Sequence, residues 1–230
     1  MRRRVNTGAA LIKIIDLYDL THTIAGEYLS RFEMPWEALK GIEDIIISLG
    51  KSLSDEYTQI KTNVWVHKSA RISPTAHIGA PAIIGADTQI RHCAYIRGSA
   101  LIGCGCVVGN SSELKNVILF DGAKVPHFNY VGDSILGYNA HMGAGSITSN
   151  VKCDSGEVVI HADKEYRTGL KKVGAMLGDY AEIGCNSVLN PGTVIGKRSI
   201  VYPLSSVRGT VAADTIYKGD GSIVKREGKA

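Results

Sequence analysis

An aliphatic side chain returns at every sixth residue through much of this chain. From Ile72 it recurs at Ile78, Ile84, Ile90, Ile96, Ile102, Val108 and Leu114. The series slips by one residue to Leu119, runs through Val125 and Val131, slips again to Leu136 and reaches Met142. A second run keeps the period at Leu177, Ile183, Leu189, Ile195, Val201 and Val207. Six is neither the period of an amphipathic helix nor that of a hairpin strand. It is the period of a solenoid in which each hexad supplies one short strand and one corner. The aliphatic residue points inward, and Gly or Asn at the corner supplies backbone angles that a Cβ disfavours. The expected fold is an all-β solenoid, a parallel β-helix of hexapeptide repeats, spanning residues 67–210.

Residues 1–66 lack the hexad. "PWEALKGIEDIIISLG" predicts a helix with Pro35 in its first turn, an apolar face of Trp36, Leu39, Ile42, Ile46 and Leu49, and Gly50 as its C-cap. Residues 21–32 read as a further helical piece. A small N-terminal helical cap over the open end of the solenoid is expected, because an uncapped coil exposes strand edges. Residues 149–176 interrupt the repeat as an inserted loop, and an excursion of this length is more often functional than idle. Residues 211–230 read as a C-terminal tail that frays in "KREGKA".

Composition bounds the function. Of 230 residues, 44% are hydrophobic and 21% charged, which reads as a soluble globular chain. A net charge of +4 is too mild to argue for nucleic acid. No apolar run approaches the ~20 residues of a membrane helix, and the opening "MRRRVNTGAALIKII" has no convincing leader architecture. Five cysteines, an odd number with no CxxC pair, suit a reducing, cytoplasmic setting. Cys104 and Cys106 read as small fillers, and no metal is expected.

Three hexads make one triangular turn, so residues about 18 apart stack at roughly 4.8 Å. Ile96, Leu114 and Val131 lead face one. Ile102, Leu119 and Leu136 lead face two. Val108, Val125 and Met142 lead face three. Counting then stacks Arg97 on Lys115, both one past the lead of face one. It stacks Asn110, His127 and Ala144, each two past the lead of face three. Tyr95, Glu113 and Tyr130 fall at the corner from face three into face one. A stacked Arg–Lys pair is a clamp for phosphate. His127 is a proton acceptor at neutral pH. The N–H groups of "GAG" at 143–145 suit a developing oxyanion. Together these are the groups needed for acyl transfer from a thioester to an amine on a phosphorylated substrate. The remaining histidines at 22, 67, 77, 92 and 161 read as surface or corner fillers.

The stretch "ELKNVILFDGAKVPHFNYVGD…LGYNAHMGAGSITSN" (113–150) resembles the C-terminal acetyltransferase half of the bifunctional N-acetylglucosamine-1-phosphate uridyltransferase/glucosamine-1-phosphate acetyltransferase family. It resembles still more closely the β-helix of sugar-1-phosphate nucleotidyltransferase-like proteins, as does "YRTGLKKVGAMLGDYAEIGCNSVLNPGTVIG" (166–196). The resemblance covers about residues 70–210. It implies a left-handed β-helix, a homotrimer with sites between subunits, acetyl-CoA as co-substrate and a small sugar phosphate as acceptor. It carries the catalytic base onto His127 and the phosphate cations onto Arg97 and Lys115. Sugar contacts fall on Glu113, Tyr130 and Asn150, and acetyl-CoA contacts on Ala144, Cys185 and Pro203. His141 stands where the acetyltransferase has a sugar-binding Asn, so a different amino sugar is implied. No Gly-rich nucleotide loop occurs in the first 66 residues, so sugar-nucleotide synthesis is not expected of this sequence.

The leading expectation is an acetyl-CoA-dependent N-acetyltransferase of a hexosamine 1-phosphate or related sugar. A non-catalytic trimeric β-helix partner of a separate nucleotidyltransferase would not need the His127, Arg97 and Lys115 set. A zinc hydratase, which shares the fold family, needs three convergent histidines. His127 and His141 count to different faces, and no third partner appears.

Overall fold

The computed structural model describes residues 12–227; the opening segment and the last three residues of the expected tail lie outside the described residues. The hexads form a parallel β-helix. Its first coil opens with strand Val64–His67, which pairs in parallel with Ala82–Ile84. Its last inward strands are Thr210–Val211 and Thr215–Tyr217. The solenoid is therefore longer at both ends than 67–210. The expected tail is corrected as well: Ile223–Lys225 turns back antiparallel on Thr215–Tyr217. At the other end, Tyr57–Lys61 lies antiparallel on Val64–His67. A hairpin thus covers the terminal edge at each end, the protection an open coil requires.

The inward leads form one continuous apolar column, from Val64 and Val66 through Ile84, Ile102, Leu119, Leu136, Leu177 and Ile195 to Val211 on face two, with matching columns on the other faces. The two slips have a structural cause. In one coil the corner between faces one and two uses two residues, Gly98 (φ 124°) and Ser99 (φ 50°). In the next two coils a single left-handed residue suffices, Asn116 (φ 53°) and then Asp133 (φ 49°). Asn and Asp tolerate this region better than other residues with a Cβ. The chain therefore runs as an unbroken strand around the corner at Glu113–Leu119 and Tyr130–Leu136.

The N-terminal segment is helical as expected, but it does not close an open end. Its short helices Ile14–Leu17 and Gly26–Leu29, the 3₁₀ turn Pro35–Gly41 and helix Ile42–Gly50 lie along the outside of face two. The reason is a second apolar column, one residue before each face-two lead. Trp65, Ile83, Leu101, Ile118, Ile135, Met176 and Val194 stack along the fibre axis and are buried against Ile14, Leu17, Leu29, Trp36, Leu39, Ile42 and Ile46. Face two is thus apolar on both sides. The predicted single helix breaks at Gly41 into a 3₁₀ turn and an α-helix. Gly50 is its last helical residue rather than its C-cap; a Cβ there would run into the Trp65 ring.

The insertion ends two residues earlier than expected, because Ala175–Leu177 already belongs to face two. It occupies the corner between faces one and two, directly after Asn116 and Asp133 in the stacking order. Inside it, Val159–His161 and Glu165–Arg167 form an antiparallel hairpin. Val158, Ile160 and Val173 join the apolar cluster of the helical segment, and the Trp36 and Tyr166 rings meet edge-on at 5.9 Å.

Candidate active site

The ladder confirms the stacking of face one. Glu113 pairs with Tyr95 on one side and Tyr130 on the other, and Lys115 pairs with Gly132. Arg97 donates its N–H to Leu114, which sets it directly over Lys115. The two cations are not equivalent. Arg97 holds Glu113 across one coil at 3.0 Å, with both side chains substantially exposed. That hydrogen bond raises the guanidinium pKa above its ordinary value. Lys115 lies 3.7 Å from Asp133, whose side chain is only 6% exposed. Tyr130 and Asn150 also meet: Asn150 Nδ2 donates to Tyr130 Oη at 3.2 Å. Burial raises the Tyr130 phenol pKa, and the Asp133 carboxylate adds to the effect. Arg97, Lys115, Glu113, Tyr130 and Asn150 therefore share one outer face.

A second set stacks along the corner that leads into this face. His127 pairs with Asn110, and its carbonyl accepts the Gly145 N–H at 2.9 Å, so Ala144 follows in the column. Asn186 N–H donates to Ala144, and Leu204 N–H donates to Cys185. Cys185 and Pro203 thus continue the column two residues past the leads Ile183 and Val201. His127 is exposed, held by its backbone rather than by burial of the ring. The buried Asn129 is what holds it. Its Oδ1 accepts the His127 N–H at 3.0 Å, and its Nδ2 donates to Gly143 at 2.8 Å and Ser146 at 3.0 Å. One side chain therefore fixes the histidine to the turn that carries Ala144. Among the described residues, no hydrogen bond or ion pair joins the histidine column to the face-one set.

Two expectations need correction here. The "GAG" turn does not offer three N–H groups. Gly143 N–H is taken by Ile183 at 2.7 Å and Gly145 N–H by His127 at 2.9 Å, whereas the Ala144 N–H donates to nothing among the described residues. An oxyanion there would meet one backbone donor. His127 and His141 also do not fall on different faces. The strands Lys124–His127 and His141–Met142 pair in parallel, with Lys124 against His141. The count misled because His141 precedes its lead and His127 follows its own. His141 is half-buried between Lys124 and Glu182. Burial lowers its pKa first, Lys124 and His127 push the same way, and Glu182 opposes them. Among the described residues, no three His, Cys, Asp or Glu side chains converge as metal ligands. Cys106 is a core filler, its thiol pushed up to about 12 by burial.

Reasoning from the sequence missed Asp133, Asn116 and Asn129. Asp133 lies inside the motif "KVPHFNYVGD", and its 17-residue distance from Asn116 is the shortened coil itself. That spacing, with an Asn and an Asp at a slip in the repeat, was the available signal.

Fold and edge together define a hexapeptide-repeat β-helix that gathers a histidine, two cations and a tyrosine–asparagine pair beside a corner column. No protein-family model matches the chain. Across 98% of its length it is similar, at 28% identity, to the bifunctional protein GlmU of Methanococcus maripaludis, of which it covers 56%. It is similar, also at 28% identity over 80% of the chain, to the bifunctional sugar-1-phosphate nucleotidylyltransferase/acetyltransferase of Sulfurisphaera tokodaii, of which it covers 47%. The chain thus spans about half the length of these curated relatives. Among solved structures, a hexapeptide transferase family protein from Anaplasma phagocytophilum overlaps 71% of this chain and 79% of its own, with 16% identity and a TM-score of 0.41. Among the described residues, no helix is long and apolar enough to cross a membrane.

Proposed function

We propose that the chain is an acetyl-CoA-dependent N-acetyltransferase that acts on an amino-sugar 1-phosphate. The observation that carries this reading is the stack of exposed His127 and Ala144, whose N–H has no partner among the described residues, at the corner that opens onto Arg97 and Lys115. The names of the relatives, a nucleotidylyltransferase/acetyltransferase among them, point the same way.

In this reading the phosphate lies on Arg97 and Lys115, as charge-assisted contacts favour. Glu113, Tyr130, Asn150, Asn110 and His141 line the sugar. The pantetheine arm of acetyl-CoA runs along Ala144, Cys185 and Pro203. The substrate amine attacks the thioester carbonyl, and the imidazole of His127 takes the proton it loses. The Ala144 N–H steadies the oxyanion. Collapse of the tetrahedral intermediate expels the CoA thiolate, which takes the proton from His127 to leave as the thiol. A homotrimer is part of the proposal, because among the described residues no hydrogen bond or ion pair joins the histidine column to the face-one set, and a neighbouring copy would complete the site between them.

The test is incubation with acetyl-CoA and a panel of amino-sugar phosphates while free thiol is followed. The expected result is thiol release with a hexosamine 1-phosphate and none with the sugar phosphate that lacks the amine. Absence of release across the panel from a trimeric, folded sample would overturn the reading.

A further inference from the structure

Asp133 is a carboxylate 4% exposed at a left-handed corner. Every side-chain group that reaches it donates. Asn116 Nδ2 meets Oδ1 at 2.8 Å, Asn150 Nδ2 meets Oδ2 at 2.5 Å, and Lys115 Nζ lies 3.7 Å from Oδ2. An ionised carboxylate only accepts, so it fixes which end of each amide faces it. Asn116 is held a second time, by the Leu39 carbonyl of the helical segment at 3.3 Å. The backbone is held too. Asp133 O accepts the Gly174 N–H and Asn150 O accepts the Val173 N–H, where the insertion returns to the helix.

The consequence falls on Asn150. Its two N–H bonds turn toward Asp133 and Tyr130 Oη, so its Oδ1 is left to face outward. Tyr130 Oη in turn accepts from Asn150, which leaves its own proton to be donated. Neither atom has a partner within the described chain, and neither is a buried orphan.

We propose that Asp133 is a positioning residue that sets the polarity of the ligand site. It makes Asn150 present an acceptor and Tyr130 a donor, so the site selects a ligand bearing an N–H or O–H opposite Asn150 and an acceptor oxygen opposite Tyr130. This rests on the reading of the face-one edge as the sugar site. Replacement by Asn keeps the shape but puts an NH₂ where one of the two amides also presents NH₂. Asn116 is tethered to Leu39, so Asn150 is the one that turns over, and it then shows a donor to the ligand.

Three proteins decide the matter: wild type, Asp133→Asn, and the double variant Asp133→Asn/Asn150→Asp, in which residue 150 has no N–H and must present an acceptor. With glucosamine 1-phosphate as probe, Asp133→Asn should raise KM about tenfold or more, as mismatching a hydrogen-bonding group does, and change kcat by less than about threefold. The double variant should recover part of the lost KM, since the acceptor at 150 returns while Tyr130 Oη now donates to that carboxylate instead of to the ligand. An unchanged KM in Asp133→Asn, or a double variant no better than the single, would overturn the proposal, because a merely structural aspartate is not rescued by a second change at the ligand face.

A measurement on ligand-free wild type stands apart from catalysis and from the folding of any variant. The Asn150 side-chain amide protons should exchange slowly with solvent. Exchange as fast as that of a solvated asparagine would also overturn the proposal. A wild type inactive on every amino-sugar phosphate but with a protected Asn150 amide would instead refute the substrate reading and support the polarity.

Discussion

Faces two and three are built from the same hexad, and their inward residues are interchangeable in kind. Their outward residues are not. One position before the lead, face two carries Trp65, Ile83, Leu101, Ile118, Ile135, Met176 and Val194, all buried under the helical segment. At the equivalent position face three carries Arg71, Gln89, Val107, Lys124, His141 and Glu182, none of them fully buried. The inward column makes the coil, whereas the outward column decides what may lie against it. Face two receives the N-terminal helices and the insertion hairpin, and the side turned away from them stays uncovered.

The contrast breaks most visibly at a matched pair of charges. Ile118→Asp sets a carboxylate in the seam between the solenoid and helix Ile42–Gly50. An unpaired buried charge costs several kcal/mol, a large share of the stability of an ordinary domain. Loss of the cooperative thermal transition, or early proteolysis of the N-terminal segment, is expected. Val107→Asp, the same change on face three, should shift stability by about 1 kcal/mol or less. Equal damage from both would remove the distinction between the faces.

At the edge, His127→Ala should leave the melting temperature nearly unchanged, since the ring is exposed and Asn129 holds only the backbone. Turnover should fall about 10²- to 10⁴-fold, read as thiol release at saturating substrate. Retention of near-normal release would remove His127 as the base and make His141 the next candidate.

Arg97→Ala and Lys115→Ala sharpen the comparison within face one. Arg97 leaves behind an accessible Glu113, so its loss should raise KM more than it lowers kcat and cost little stability. Lys115→Ala leaves a buried carboxylate with its two amide donors but no countercharge and should in addition cost about 1–3 kcal/mol. Denaturation curves for the two variants check this; identical stabilities would mean that Asp133 does not depend on Lys115.

The smallest effect concerns pH. Burial lowers the His141 pKa below its unfolded value, so the unfolded chain binds the proton more readily. Stability from this residue is present above the ordinary histidine pKa of about 6.5 and is lost as pH falls through it. Wild type should therefore lose slightly more melting temperature than His141→Asn between neutral pH and about pH 5. A larger loss in the variant would contradict the sign.

Much of this was legible in the chain. The period gave the solenoid, and counting along it stacked Arg97 on Lys115 and Asn110 on His127, because a repeat converts sequence distance directly into spatial neighbours. The course of the helical segment was also written in the sequence, in the unbroken apolar run one residue before each face-two lead. It was missed because attention to the inward residue alone hides the outward one. The face of His141 was misjudged for a similar reason, since it precedes its lead where His127 follows.

The order of residues alone sets what repeats. Inward leads, corner residues and the order of the stack follow from a period of six and from the left-handed tolerance of Asn, Asp and Gly. How the non-repeating polar groups are consumed emerges only when the coils, the helical segment and the insertion pack together. Two of the three "GAG" amides are spent on the ladder, Lys115 is tied to Asp133, and the Asn150 amide is turned by the same carboxylate. Hydrogen-bond polarity depends on distances of an ångström and on partners from the helical segment and the insertion, and no spacing along the chain encodes either.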